Sequence, residues 1–76
     1  MRERVRALRE DNDLKQRELA ALLQISQSMY SDYERGNANI PIPALKKLAE
    51  FYETSIDYIL ELTDERKPYP RKKRQL

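Results

Sequence analysis

The apolar positions of the chain fall at helical spacing and are broken by short polar corners. The densest pattern lies in LKQRELAALLQISQSMYSDYERG, residues 14 to 36. Leu19, Ala20 and Leu23 stand at i, i+1 and i+4, the inner stripe of a short helix that starts near Gln16. The stripe stops at Gln24-Ile25-Ser26, where Ser26 is a good N-cap for a further helix over about Gln27 to Arg35. Tyr30 and Tyr33, three apart, mark the inner side of that helix and read as core residues with their hydroxyls at the rim. Gly36 suits the left-handed residue that ends it.

The flanking stretches extend the pattern. Residues 2 to 12 predict a first helix, with Val5 and Leu8 inward and Arg2, Arg6 and Glu10 outward. Asp11-Asn12-Asp13 is a polar turn, and Leu14 returns to the core. After the polar loop Asn37-Ala38-Asn39, the run Ile40-Pro41-Ile42-Pro43 leads into a fourth helix with proline in its first turn. Leu45, Leu48, Ala49 and Tyr52 form its buried stripe. Ser55 or Thr54 caps a fifth helix, with Asp57 favourable in its first turn. That helix is expected to carry Ile56, Ile59 and Leu60 on one side and Tyr58 and Leu62 on another. From Thr63 the apolar pattern ends, and KPYPRKKRQL reads as a flexible, charged tail. The expected division is residues 1–65 as one folded domain and 66–76 as the basic tail.

Composition narrows the chemistry. Seventy-six residues make one small domain, which needs an efficient core or a partner chain. There is no Cys and no His, so disulfides, thiol chemistry and the usual zinc sites are excluded. With no His base, no Cys nucleophile and a single glycine, neither a nucleophilic centre nor a phosphate loop can be assembled. No catalytic residue, metal or cofactor is therefore expected. No apolar run approaches the ~18 residues of a membrane span, so a soluble, cytoplasmic protein is expected. The net charge of +2 is uneven: six of the fifteen basic residues lie in 66–76, which holds no acid. The other nine face thirteen acids, leaving the body at −4. Any polyanion-binding surface must therefore keep most of the body's acids at a distance.

Several short segments together carry a resemblance. Leu8-Arg9-Glu10, Gln16 with Glu18-Leu19-Ala20, Ile25-Ser26-Gln27-Ser28, Tyr33-Glu34-Arg35-Gly36 and Leu48-Ala49 resemble the helix-turn-helix of the phage repressor/Cro-type (XRE) family. The segments IPIPALKKLAEFY and TSIDYIL are similar to the fourth and fifth helices of its small stand-alone members, so the likeness covers residues 3 to 62. It implies an all-α, five-helix, lambda-repressor-like domain that binds double-stranded DNA as a transcriptional regulator. It places Gln27, Ser28 and Asp32 where base edges are read, with Met29 against a thymine methyl or a sugar. It places Gln16 on a phosphate at a helix N-terminus, flanked by Lys15 and Arg17, and Asn37 and Asn39 on the opposite backbone. It also makes Arg9 and Glu34 an internal ion pair. An ordinary solvated helix face carries the same polar residues as the reading face, and ordinary turn chemistry accounts for both asparagines.

The chain departs from the family at two positions. Lys15 stands where Ser, Thr or Asn usually caps the second helix, and Gln24 stands where Gly usually turns the corner. Each costs about 1 kcal/mol, the first as a missing cap and the second as a strained left-handed residue. The resemblance further implies a homodimer, for which Phe51, Tyr58 and Leu62 are the candidate contacts; the far side of the core is the alternative place for them. Two other readings stay open. One is a DNA-binding antitoxin whose partner is a toxin, and the other is a protein-interaction module that keeps the fold without DNA affinity. The run Arg71-Lys72-Lys73-Arg74 suits phosphates or a minor groove as well as a solubilising end.

Overall fold

The computed structural model describes residues 3 to 67. Its elements are α1 (Glu3–Asp11), α2 (Gln16–Leu23), α3 (Gln27–Arg35), α4 (Ile42–Phe51) and α5 (Ile56–Ile59). There is no strand among the described residues. The predicted tail residues Arg71, Lys72, Lys73 and Arg74 lie outside the described residues.

One core joins all five helices. Val5 and Leu8 of α1, Leu19 and Ala20 of α2, Tyr30 and Tyr33 of α3, Leu45, Leu48 and Ala49 of α4, and Ile59 of α5 are buried together. Ile40 and Tyr52 close this cluster between elements. Leu23 is only partly buried and packs at its edge.

Each helix ends the same way. A residue in the left-handed region follows its last turn, and paired backbone bonds recapture the free carbonyls, as in the Schellman arrangement. After α2, Gln24 (φ 58°) donates to Ala21 O at 3.1 Å and Ile25 donates to Ala20 O at 2.9 Å. After α3, Gly36 (φ 77°) and Asn37 make the equivalent bonds to Tyr33 O and Asp32 O. Asp13, Glu53 and Glu61 play the same part after α1, α4 and α5, at φ 55°, 56° and 63°. Only one of these five positions is glycine.

The N-termini differ more. Ser26 accepts from Met29 N and Ser55 accepts from Tyr58 N, both at 3.0 Å. Lys15 caps nothing with its side chain, because an ammonium has no lone pair. Its backbone N–H is taken instead by the Glu18 carboxylate at 2.7 Å, half of a capping box. Pro41 precedes α4 and Pro43 lies in its first turn.

The C-terminal part departs from the expected pattern. The fifth helix is a single turn that stops at Ile59, so Leu62 is not on it. Leu62 follows the left-handed Glu61 and is 72% exposed. The chain beyond is held down by Thr54 Oγ1, which donates to Arg66 O at 2.6 Å, past the expected domain boundary at residue 65.

Candidate nucleic-acid interface

The corner after α2 positions α3. Its two apolar anchors, Tyr30 and Tyr33, fix one side of α3 in the core and leave the other side to solvent. On that open side Gln27, Ser28 and Met29 are exposed in the first turn, with Met29 42% exposed. Ser31 and Asp32 follow half-buried, and Arg35 is exposed at the end of the same stripe. Arg35 Nη2 donates to Asp32 Oδ1 at 3.2 Å, so the one acid on this side has a counter-charge.

A buried polar network locks α3 against α1 and the start of α2. Arg9 grips the Glu34 carboxylate through two nitrogens, Nε to Oε2 at 2.6 Å and Nη2 to Oε1 at 3.2 Å. The Arg9 Nη1 donates to Leu14 O at 2.9 Å, and Gln16 Nε2 donates to Glu34 Oε1 at 3.1 Å. Burial pushes the Glu34 carboxyl upward, but the bonds from Arg9 and Gln16 and the nearby Tyr30 hydroxyl outweigh it and hold it below the ordinary glutamate value. The bond to Glu34, opposed by desolvation, leaves the Arg9 guanidinium still more firmly protonated. The Tyr30 hydroxyl stands beside Glu34 without the geometry of a regular hydrogen bond, and burial with that neighbouring charge pushes it far up. Burial pushes Tyr52, whose hydroxyl also has no partner among the described residues, up to about 12.

The network leaves functional atoms over. A primary amide has two N–H donors, and Gln16 has given one to Glu34, so one remains for an anion at the α2 N-terminus. Lys15 and Arg17 flank it, both exposed and without an ion pair among the described residues. Asn37 and Asn39 are exposed in the loop after Gly36. An open cleft of about 540 Å³ runs between α1 and α3, with Arg6, Arg9, Gln16 and Arg35 but also Glu3, Glu10 and Glu34 on its walls.

The three expected dimer residues sit apart in character. Phe51 is 47% exposed and meets Tyr52 edge-on at 5.1 Å between ring centroids. Tyr58 is half-buried, and its ring lies under the Arg4 guanidinium at 4.0 Å. Leu62 is open to solvent. Sequence reasoning missed Arg35, which the i, i+3 spacing from Asp32 signals, and Arg4, which no local spacing signals. Among the described residues no helix is long and apolar enough to cross a membrane, and no cluster of acidic side chains could hold a metal ion.

Residues 5–59 match a helix-turn-helix family model. The chain is 38% identical over 71 residues to a Bacillus subtilis (strain 168) protein named uncharacterized HTH-type transcriptional regulator YobD, covering 93% of this chain and 63% of the relative. It is 37% identical over 59 residues to the HTH-type transcriptional regulator DdrOP3 of Deinococcus deserti, covering 78% of this chain and 46% of the relative. The chain thus spans about half to two thirds of the length of these relatives. No solved structure gives a significant match. The matched region runs from within α1 to the end of α5 and contains the α2–corner–α3 unit described above, and the chain belongs to the helix-turn-helix family of the XRE type.

Proposed function

We propose that the chain is a DNA-binding transcriptional regulator of the cytoplasm, acting as a repressor, that reads the major groove with α3 as a homodimer. The observation that carries this reading is the locked α2–α3 unit with an open, short-side-chain face. Gln27, Ser28 and Met29 project from the capped first turn of α3, the end that enters a groove deepest. Gln27 pairs with adenine through both amide atoms, Ser28 accepts several bases, and Met29 touches a thymine methyl. The free N–H of Gln16, with Lys15 and Arg17, takes one phosphate backbone, and Asn37 and Asn39 take the other. The names of the two relatives support the regulatory role. Residues 1–65 form the reading domain, and the basic residues of 66–76 add salt-sensitive affinity. The dimer uses Phe51, Tyr58 and Leu62, and a C2 pair sets two half-sites about 34 Å apart.

The charge of the body favours a second reading, since nine basic residues against thirteen acids repel a polyanion. In that reading the chain is a protein-interaction module that keeps the fold without DNA affinity. Selection of bound sequences from random duplexes at two salt concentrations separates the two. A palindrome with half-sites one turn apart is the expected result. No enriched sequence, with weak binding that vanishes on deletion of residues 66–76, would sink the first reading and support the second.

A further inference from the structure

The ion pair on the reading face has a role that fold stability does not explain. Arg35 and Asp32 meet at 3.2 Å with side chains 62% and 36% exposed, and exposed pairs of this kind stabilise a fold little. Their location is the informative part. Ser28, Asp32 and Arg35 stand at i, i+4 and i+7, one stripe of α3. A bare carboxylate on that stripe would repel the phosphates on both sides of a groove and weaken binding to every sequence.

Arg35 is also placed to leave. It is the last residue of α3, far from the end proposed to meet base edges, and it lines the cleft shared with Arg6, Arg9 and Gln16 and with the carboxylates of Glu3, Glu10 and Glu34, the last two paired to Arg6 and Arg9. That cleft adjoins the α2 N-terminus, where the phosphate contacts of the interface gather. A guanidinium has five N–H donors, and Asp32 engages only Nη2.

We propose that Asp32 and Arg35 act as one specificity element. Arg35 shields the carboxylate in the free protein, turns to a phosphate where the duplex offers Asp32 a donor edge such as the cytosine N4 amino group, and stays on Asp32 where it does not. This rests on α3 reading the major groove. Its consequence is coupling: without Arg35, the acid is unshielded wherever no base donates to it.

The test uses the full chain, its variants Arg35→Gln, Arg35→Lys and Asp32→Asn, and the double variant Arg35→Gln with Asp32→Asn. The probes are the duplex selected by the wild-type chain and the same duplex with the base pair opposite Asp32 replaced. Arg35→Gln is expected to weaken both duplexes about tenfold and to reduce the salt slope by about one. On the replaced duplex the loss should be several-fold smaller when Asp32→Asn is already present, and Arg35→Lys, which keeps the charge, should restore most of it. Asp32→Asn alone should flatten discrimination at the one base position. Equal losses on the replaced duplex with and without the Asp32→Asn change, or no loss on Arg35→Gln, would overturn the proposal. A wild-type chain that selects no duplex would overturn the groove reading itself, which is told apart because the failure is then not confined to variants.

Discussion

Glu34 is the side chain on which most of the polar interior converges. It is 5% exposed and is held by Arg9 through two nitrogens and by Gln16 through one. Replacing it by Gln keeps the shape and removes the charge, leaving the Arg9 guanidinium only the more distant and more exposed Glu10 carboxylate at 3.9 Å. We expect Glu34→Gln to lower stability by about 2–3 kcal/mol at neutral pH, the usual scale for breaking a buried charge-assisted contact. The sign of the pH dependence follows from the depressed carboxyl. A lowered folded value contributes stability above the ordinary glutamate value of 4.5 and loses it as pH falls through the folded value. Thermal melts of wild type and Glu34→Gln from pH 7 downward should therefore converge below that point, and a gap that stays constant would count against the charge as the cause. Tyr52 gives the opposite case. Its hydroxyl is buried with no partner among the described residues, so Tyr52→Phe should leave stability unchanged or raise it by up to about 1 kcal/mol. A loss of more than that in a denaturant titration would reveal a partner for the hydroxyl.

At the scale of the helices, the sequence reveals the faces far better than the ends. Leu19 with Ala20 and Leu45, Leu48 with Ala49 announce their stripes by spacing alone, and each is buried as that spacing requires. Gly36 and the serines at 26 and 55 announce their caps by residue type. The other left-handed ends do not, because Asp13, Gln24, Glu53 and Glu61 are ordinary polar residues whose conformation is imposed by packing on either side. Gln24 is legible only as a departure from the family resemblance. The apolar pattern carries the expected fifth helix on to Leu62, a residue that the backbone in fact turns outward. The strained ends make a direct prediction. Glu53→Gly and Glu61→Gly should each stabilise by about 0.5–1 kcal/mol, removing both the left-handed strain and an acid beside the negative helix end. Asp13→Gly should gain less, since Asp tolerates the conformation better. Lys15→Ser should add about 1 kcal/mol by supplying the missing half of the capping box that Glu18 already begins. An unchanged melting temperature, with a salt slope for DNA reduced by about one, would assign Lys15 to a phosphate instead.

Across the whole molecule, one polar side chain adds to the shared core in tying the two ends of the described chain together. Arg4 reaches from the first turn of α1 to the carbonyls of Tyr58 and Thr63, at 3.0 and 3.2 Å. Its guanidinium lies over the Tyr58 ring at 4.0 Å and meets the exposed Asp64 at 3.5 Å. Nothing in the sequence points to this, because the partners are 54 and 59 residues away and arginine at that position reads as one more polar residue of α1. The Arg9–Glu34 pair, 25 residues apart, is equally silent in the spacing and enters only through the family resemblance. Small domains gain most from contacts that join distant parts, since a one-turn helix such as α5 cannot hold its place by propensity. Arg4→Met keeps an apolar stem against Tyr58 and removes every hydrogen bond and the cation–π contact. We expect a loss of about 1–2 kcal/mol, or roughly 4–16 °C in melting temperature for a domain of this size. Hydrogen exchange should then show where the loss falls. Faster exchange confined to residues 56–64, with α2 and α3 as protected as before, would mean that Arg4 fastens the C-terminal segment alone. Because Leu62 lies in that segment, the proposed dimer predicts that such a variant weakens dimeric DNA binding while leaving half-site discrimination by the proposed reading helix unaltered. Acceleration spread evenly over all helices would instead make Arg4 a support of the whole core, and discrimination would fall together with affinity.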